Sequence, residues 1–168
     1  MNELTSQERI ARILKRQPVD RVGLFEHFWG DTHKRWVREG HIQENEDLTS
    51  HFGWDMINCW PFNTTADLDF EPEVIEENDE TILTKDGNGA FLRRHKQHDA
   101  TPEHVDFTVR DRDAWLKHIK PFLTPERRRI NVDAYRETKE RAAAKNLFFS
   151  WSGVNVFELM HPVCGHEY

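Results

Sequence analysis

The residues best placed for chemistry stand where an apolar run meets polar and aromatic groups. Val22-Gly23-Leu24-Phe25 leads into Glu26-His27-Phe28-Trp29-Gly30-Asp31, so a carboxylate, an imidazole and an indole come just ahead of a predicted helix. An α/β enzyme presents a site in this way, at the carboxyl end of a strand. Glu26 and His27 are therefore candidate catalytic residues. On a strand their adjacent side chains point to opposite faces, and only one faces a pocket unless the strand has already ended. The competing reading ties them into a loop by hydrogen bonds.

Three tryptophans, Trp29, Trp60 and Trp151, each fall near the end of a predicted strand. Together they make either an aromatic wall for a planar or apolar ligand or part of a core. With Asn58, which stands near the end of the second predicted strand, they are the candidate substrate-binding residues. The run His161-Pro162-Val163-Cys164-Gly165-His166 holds thiol and imidazole groups, the usual zinc ligands. Pro162 and Gly165 make it a helix-ending turn, and no second ligand cluster lies at a zinc-site spacing, so no metal is expected there. Cys59 is expected to be a small buried hydrophobe. Arg127-Arg128-Arg129 reads as a solvated face, with an anion site as the alternative.

The elements that must position these residues follow from local signals. Thr5-Ser6-Gln7-Glu8 is a capping box, which predicts a helix over about residues 5 to 16 with Ile10, Ile13 and Leu14 as its apolar stripe. Pro18 ends it, and Val22 to His27 has the content of a buried strand. Asp31 is read as the cap of a second helix closed by Gly40, and a short third helix runs from Asp47 to Phe52. Trp54 to Trp60 reads as a second strand. Between about residues 70 and 96, three strand-like pieces surround Asp86-Gly87-Asn88-Gly89, a hairpin signal, and predict an antiparallel insertion. From Thr101 the chain is expected to return to helices: one starting at Asp111 or Asp113 and ending at Pro121, then a long one from Asn131 to Lys145. Asn146 to Trp151 is read as another buried strand, followed by Ser152-Gly153 and an apolar helix from about Val154 to Met160.

Totals bound the function class. The chain has 168 residues and a formal charge of -7, with acidic groups spread among Lys and Arg, which disfavours a nucleic-acid surface. No apolar run nears the roughly 20 residues of a membrane span. Two cysteines without a CxxC spacing suggest neither a disulfide framework nor a zinc ribbon, and a reducing cytoplasm is the expected compartment. A small-molecule substrate is the expected partner, with no nucleic acid and no membrane.

The order of these pieces resembles the uroporphyrinogen decarboxylase superfamily. The resemblance is carried by Glu8-Arg9-Ile10 through Pro18-x-Asp20-Arg21-Val22, Phe52-Gly53-Trp54-Asp55, Asp86-Gly87-x-Gly89, Trp115 to Lys120, and Gly153 through Phe157-Glu158-Leu159 to Gly165. It implies an α/β chain forming the N-terminal portion of a (β/α)8 TIM barrel, one incomplete domain over residues 1–168 with the antiparallel insertion at about 70–96. A complete barrel needs about 250 residues, so a truncated chain is expected. The implied activity is that of a carboxylyase of porphyrin biosynthesis, in which an acid protonates a pyrrole and carbon dioxide leaves without a cofactor. The alternatives are a corrinoid-dependent methyltransferase relative, whose zinc and corrinoid partner would belong to the rest of a full-length protein, or a non-catalytic barrel fragment. The substrate is then a tetrapyrrole, a corrinoid or a similar molecule. An open barrel exposes strand edges and implies homodimerisation or aggregation. His161 aligns with the family's active-site Tyr and is the third candidate catalytic residue. The family's Arg-rich loop after the first strand has no counterpart, since no Arg lies between Arg21 and Arg35, and its catalytic Asp falls where this chain has Asn58-Cys59-Trp60.

Overall fold

The computed structural model describes residues 3–153 and 155–166. Its secondary structure divides into two compact units, the first holding Met1–Phe62 and Ile130–Gly153, the second Asn63–Arg129 and Val154–Tyr168.

The first unit begins with α1 (Ser6–Leu14), whose start carries the complete capping box: the Thr5 hydroxyl accepts from the Glu8 amide, and the Glu8 carboxylate accepts from the Thr5 amide. Next come α2 (Gly30–Glu39), closed by Gly40 at a φ of 78°, and α3 (Leu48–His51), capped by the Asp47 side chain. The expected cap of α2 shifts by two residues. Trp29 occupies the N-cap position without a side-chain hydrogen bond, and Asp31 lies inside the first turn. Strand β1 (Met56–Cys59) pairs in parallel with β6 (Phe148–Trp151), Met56 opposite Phe148 and Asn58 opposite Ser150. Between them in sequence lies α5 (Val132–Ala144), capped by Asn131. Because strand side chains alternate, Ile57 faces α5 and meets Ala142 and Leu147, with Phe149 packed on the same cluster. Asn58 and Ser150 consequently share the other face.

The second unit holds the antiparallel sheet β2 (Glu73–Glu77), β3 (Thr81–Lys85), β4 (Ala90–His95) and β5 (Glu103–Phe107), in sequence order. Asp86 Oδ1 accepts from the amides of Asn88 and Ala90, and Gly89 takes a φ of 75°, so the expected hairpin forms from its own turn chemistry. The sheet extends beyond the anticipated insertion, since β5 adds a strand where helices were expected to resume. Then come α4 (Arg112–His118), capped by Asp111, and α6 (Val156–Cys164), capped by Asn155. Ala66, Val109, Ile119, Val163 and Cys164 form its core with Trp115 against them. The expected start of the last helix at Val154 lies outside the described residues. That helix does not end at Pro162 but continues through it to Cys164, so Glu158 loses one helical acceptor partnership and Gly165 closes the helix.

The barrel expectation is overturned. Among the described residues the strands form a two-stranded parallel sheet and a four-stranded antiparallel sheet, and no barrel closes. One reason is local to Val22–His27, which forms no strand. The Asp55 amide donates to the Leu24 carbonyl at 2.8 Å, but the Leu24 amide is taken by the Asp55 carboxylate at 2.9 Å. A side chain thus replaces the ladder carbonyl, and pairing stops after one residue. Among the described residues no helix is long and apolar enough to cross a membrane.

Candidate functional site

A buried ion network holds the first unit's frame beneath its polar residues. Arg9, 2 % exposed, donates to both oxygens of Asp20 at 2.7 Å and to Asp55 at 2.6 Å. Arg21 donates to both Asp55 oxygens at 2.6 and 3.0 Å, and the Ser6 hydroxyl adds 2.8 Å. Burial pushes the Asp55 carboxyl up, but donation from Arg21, the Leu24 amide, Ser6 and Arg9 outweighs it and holds the group below its ordinary range. Every buried charge here has a partner, as burial requires. Arg9, Asp20, Arg21 and Asp55 are among the charged residues of the first motifs quoted above, and the network accounts for these four as structure.

Beyond that network, a cavity of about 570 Å³ runs along β1, from Trp54 ahead of the strand to Trp60 past it, and reaches Ser152 just after β6. Glu26, His27, Asn58, Trp60, Ser152 and Arg141 are among the residues that line it, with Trp54, Met56 and Phe25 as its apolar wall. Four candidates from the sequence therefore meet at one place. Glu26 and His27 both line the cavity because their segment is not a strand, which removes the one-face restriction. Their side chains are 60 % and 88 % exposed, and Glu26 accepts from the His27 amide at 2.9 Å.

Asn58 is held at both ends. The Ser150 hydroxyl donates to its carbonyl oxygen at 3.1 Å, and its amide donates to the Ser152 hydroxyl oxygen at 2.7 Å. The relay runs in one direction and leaves the Ser152 hydroxyl proton as the donor available to a ligand. Asp47 on the cavity wall is occupied by Lys145, and that contact, with Ser50, holds its carboxyl far below the usual range. Arg141, on the last turn of α5, has no ion pair among the described residues. Nothing in its sequence neighbourhood marks it, because it sits among alanines in a helix whose other polar residues are solvated.

The remaining candidates stand elsewhere. Trp29 heads α2 at 55 % exposure, and Trp151 is 56 % exposed with its edge against Phe62, 5.6 Å between ring centroids; neither lines the cavity. His161 belongs to α6 of the second unit, where it meets His104 and His166. Cys59 is buried, and Arg128 of the basic run is paired with Asp69 and Glu126. Among the described residues no group of three or more His, Cys, Asp or Glu side chains is arranged to hold a metal ion.

No match was found among protein-family models, curated proteins or solved structures.

Proposed function

We propose that the chain is a uroporphyrinogen decarboxylase-like protein that binds a planar, carboxylate-bearing small molecule of the tetrapyrrole class in the cavity between Glu26, Asn58 and Arg141. The observation that carries this reading is the Arg141 guanidinium, without an ion pair among the described residues, in a cavity whose wall includes Phe25, Trp54 and Trp60. A guanidinium stays charged and binds a carboxylate through two parallel hydrogen bonds, while Trp60 and Trp54 offer ring faces to a flat ligand. Ser152 supplies a directed hydroxyl beside them.

The leading activity by resemblance is decarboxylation, in which His27 or Glu26 would handle the proton. One observation favours the methyl-transferring relative as the second reading: Asn58 stands where the resemblance places the acid, its amide is committed to Ser150 and Ser152, and an amide delivers no proton. Titration with coproporphyrin, followed by quenching of tryptophan fluorescence, tests the site. Saturable binding that weakens about tenfold in Arg141→Gln is expected, the worth of one charge-assisted contact. Equal affinity in the variant would sink the assignment of Arg141, and cobalamin binding in place of porphyrin, together with no carbon dioxide release from uroporphyrinogen, would favour the second reading.

A further inference from the structure

In the second unit three imidazoles from separate elements face one another. His104 on β5 lies 4.9 Å from His161 on α6, and His161 lies 4.1 Å from His166 just past the helix end, measured between ring centroids. Phe107 stacks on His104 at 5.6 Å and 13°, and Phe157 on His161 at 6.0 Å and 11°. The trio lines a cavity of about 290 Å³ with Asp106, Phe107 and Gly165. The helix end is seated tightly, since a Cβ added to Gly165 would stand 2.6 Å from the Phe107 ring.

Among the described residues, charges of both signs act on His104. Asp106 lines the cavity, but Arg110 occupies both of its oxygens at 2.5 Å and holds its carboxyl below the usual range. Asp86 in the β3–β4 turn favours a charged His104, and Arg94 on β4 opposes it. Burial, first, and then His161 push the His104 imidazole below its ordinary value, with His166 and Arg94 adding to the shift.

We propose that His104, packed against His161 and His166 in this cavity, is an acid-sensitive latch that holds α6 on the antiparallel sheet when neutral and releases it when protonated. A histidine whose folded pKa is depressed contributes stability that is complete above its unfolded value, about 6.5, and is lost as pH falls below it toward the folded value. The window therefore opens in the mildly acidic range, where imidazole is the side chain that changes charge. Release would uncover Val163 and Cys164, now part of the unit's core.

Amide hydrogen exchange of the full chain, corrected for the intrinsic pH dependence of exchange, reads the latch directly. Between about pH 7.5 and about pH 5.5, exchange across α6 is expected to accelerate about tenfold, with no comparable change in β3 and β4. His161→Phe keeps an aromatic ring at the centre of the stack and should abolish the acceleration. His166→Gln, at an exposed position, should reduce it without disturbing the core. Constant α6 protection in the unaltered chain, or the same acceleration in both variants, would overturn the proposal.

Discussion

The parallel pair β1–β6 and the antiparallel sheet β2–β5 are built from strands of similar length, yet they are specified in different ways. Each strand of the antiparallel sheet neighbours the next in sequence, and the β3–β4 turn carries its own instructions in Asp86, Asn88 and Gly89. Its outer strand β2 is exposed throughout and carries Glu73, Glu76 and Glu77, which discourage further edge pairing. The parallel strands are separated by most of the chain and meet only when α5 covers one face. What local chemistry does for the first sheet, a buried ion network does for the second: Asp55 joins α1, the Asp20-Arg21 turn and the Leu24 segment ahead of β1. The lesson is that the region carrying the candidate cavity depends on a few long-range polar contacts, and the region without those contacts depends on turns.

The largest test of that contrast is Asp55→Asn, which leaves Arg9 and Arg21 facing an amide. Breaking a buried pair in this way costs about 3–5 kcal/mol, to be read as a fall in the denaturation midpoint and in amide protection at β1 and β6. A loss below about 1 kcal/mol, the worth of a surface pair, would break the comparison. The same group sets an acid limit. Because the folded Asp55 carboxyl titrates below its unfolded value of about 3.9, its contribution is complete above that pH and is lost as pH falls through the folded value. A pH series of melting curves should show the first unit's protection declining below about pH 4, and a flat profile there would contradict the network's role.

For the antiparallel sheet the corresponding test is Gly89→Ala. The residue has a φ of 75° and a Cβ would stand 3.0 Å from that of Thr108, so a loss of about 1–2 kcal/mol is expected, concentrated in β3 and β4. The smallest expected effect is Thr5→Ala, which removes half of a local capping box for about 1 kcal/mol, measured as a shift in the unfolding midpoint. If this exposed cap cost more than Asp55→Asn, local chemistry would govern both regions alike.

Much of the local structure was legible in the residues, for reasons these contrasts make plain. Thr5, Asp47, Asp111 and Asn131 each satisfy a free amide at a helix start, a signal that needs no tertiary partner. Two departures from the expected pattern have tertiary causes. Val22–His27 has the apolar content of a strand, but the Asp55 carboxylate takes the amide a neighbour would need. Helix α6 runs through Pro162 because its apolar side is buried with Val109 and Ile119, which outweighs one missing hydrogen bond. β5 carries no strand signal in its sequence because Glu103, His104 and Asp106 dilute its apolar content.

The candidate cavity divides in the same way. Glu26, His27, Asn58 and Trp60 could be singled out from residue type and from their place at the ends of apolar runs. Arg141 and Ser152 could not, since neither has a local signature. Residue order alone determined the caps, the Asp86-to-Gly89 turn and the polar ends of the apolar segments, because each depends on neighbours within a few positions. Only the tertiary structure decided that two distant strands lie parallel, that Asn58 is held between Ser150 and Ser152, and that Arg141 lines the same cavity with no ion pair among the described residues. Those outcomes depend on which side chains meet across long stretches of chain, where burial and charge pairing rather than local backbone preference set the energy.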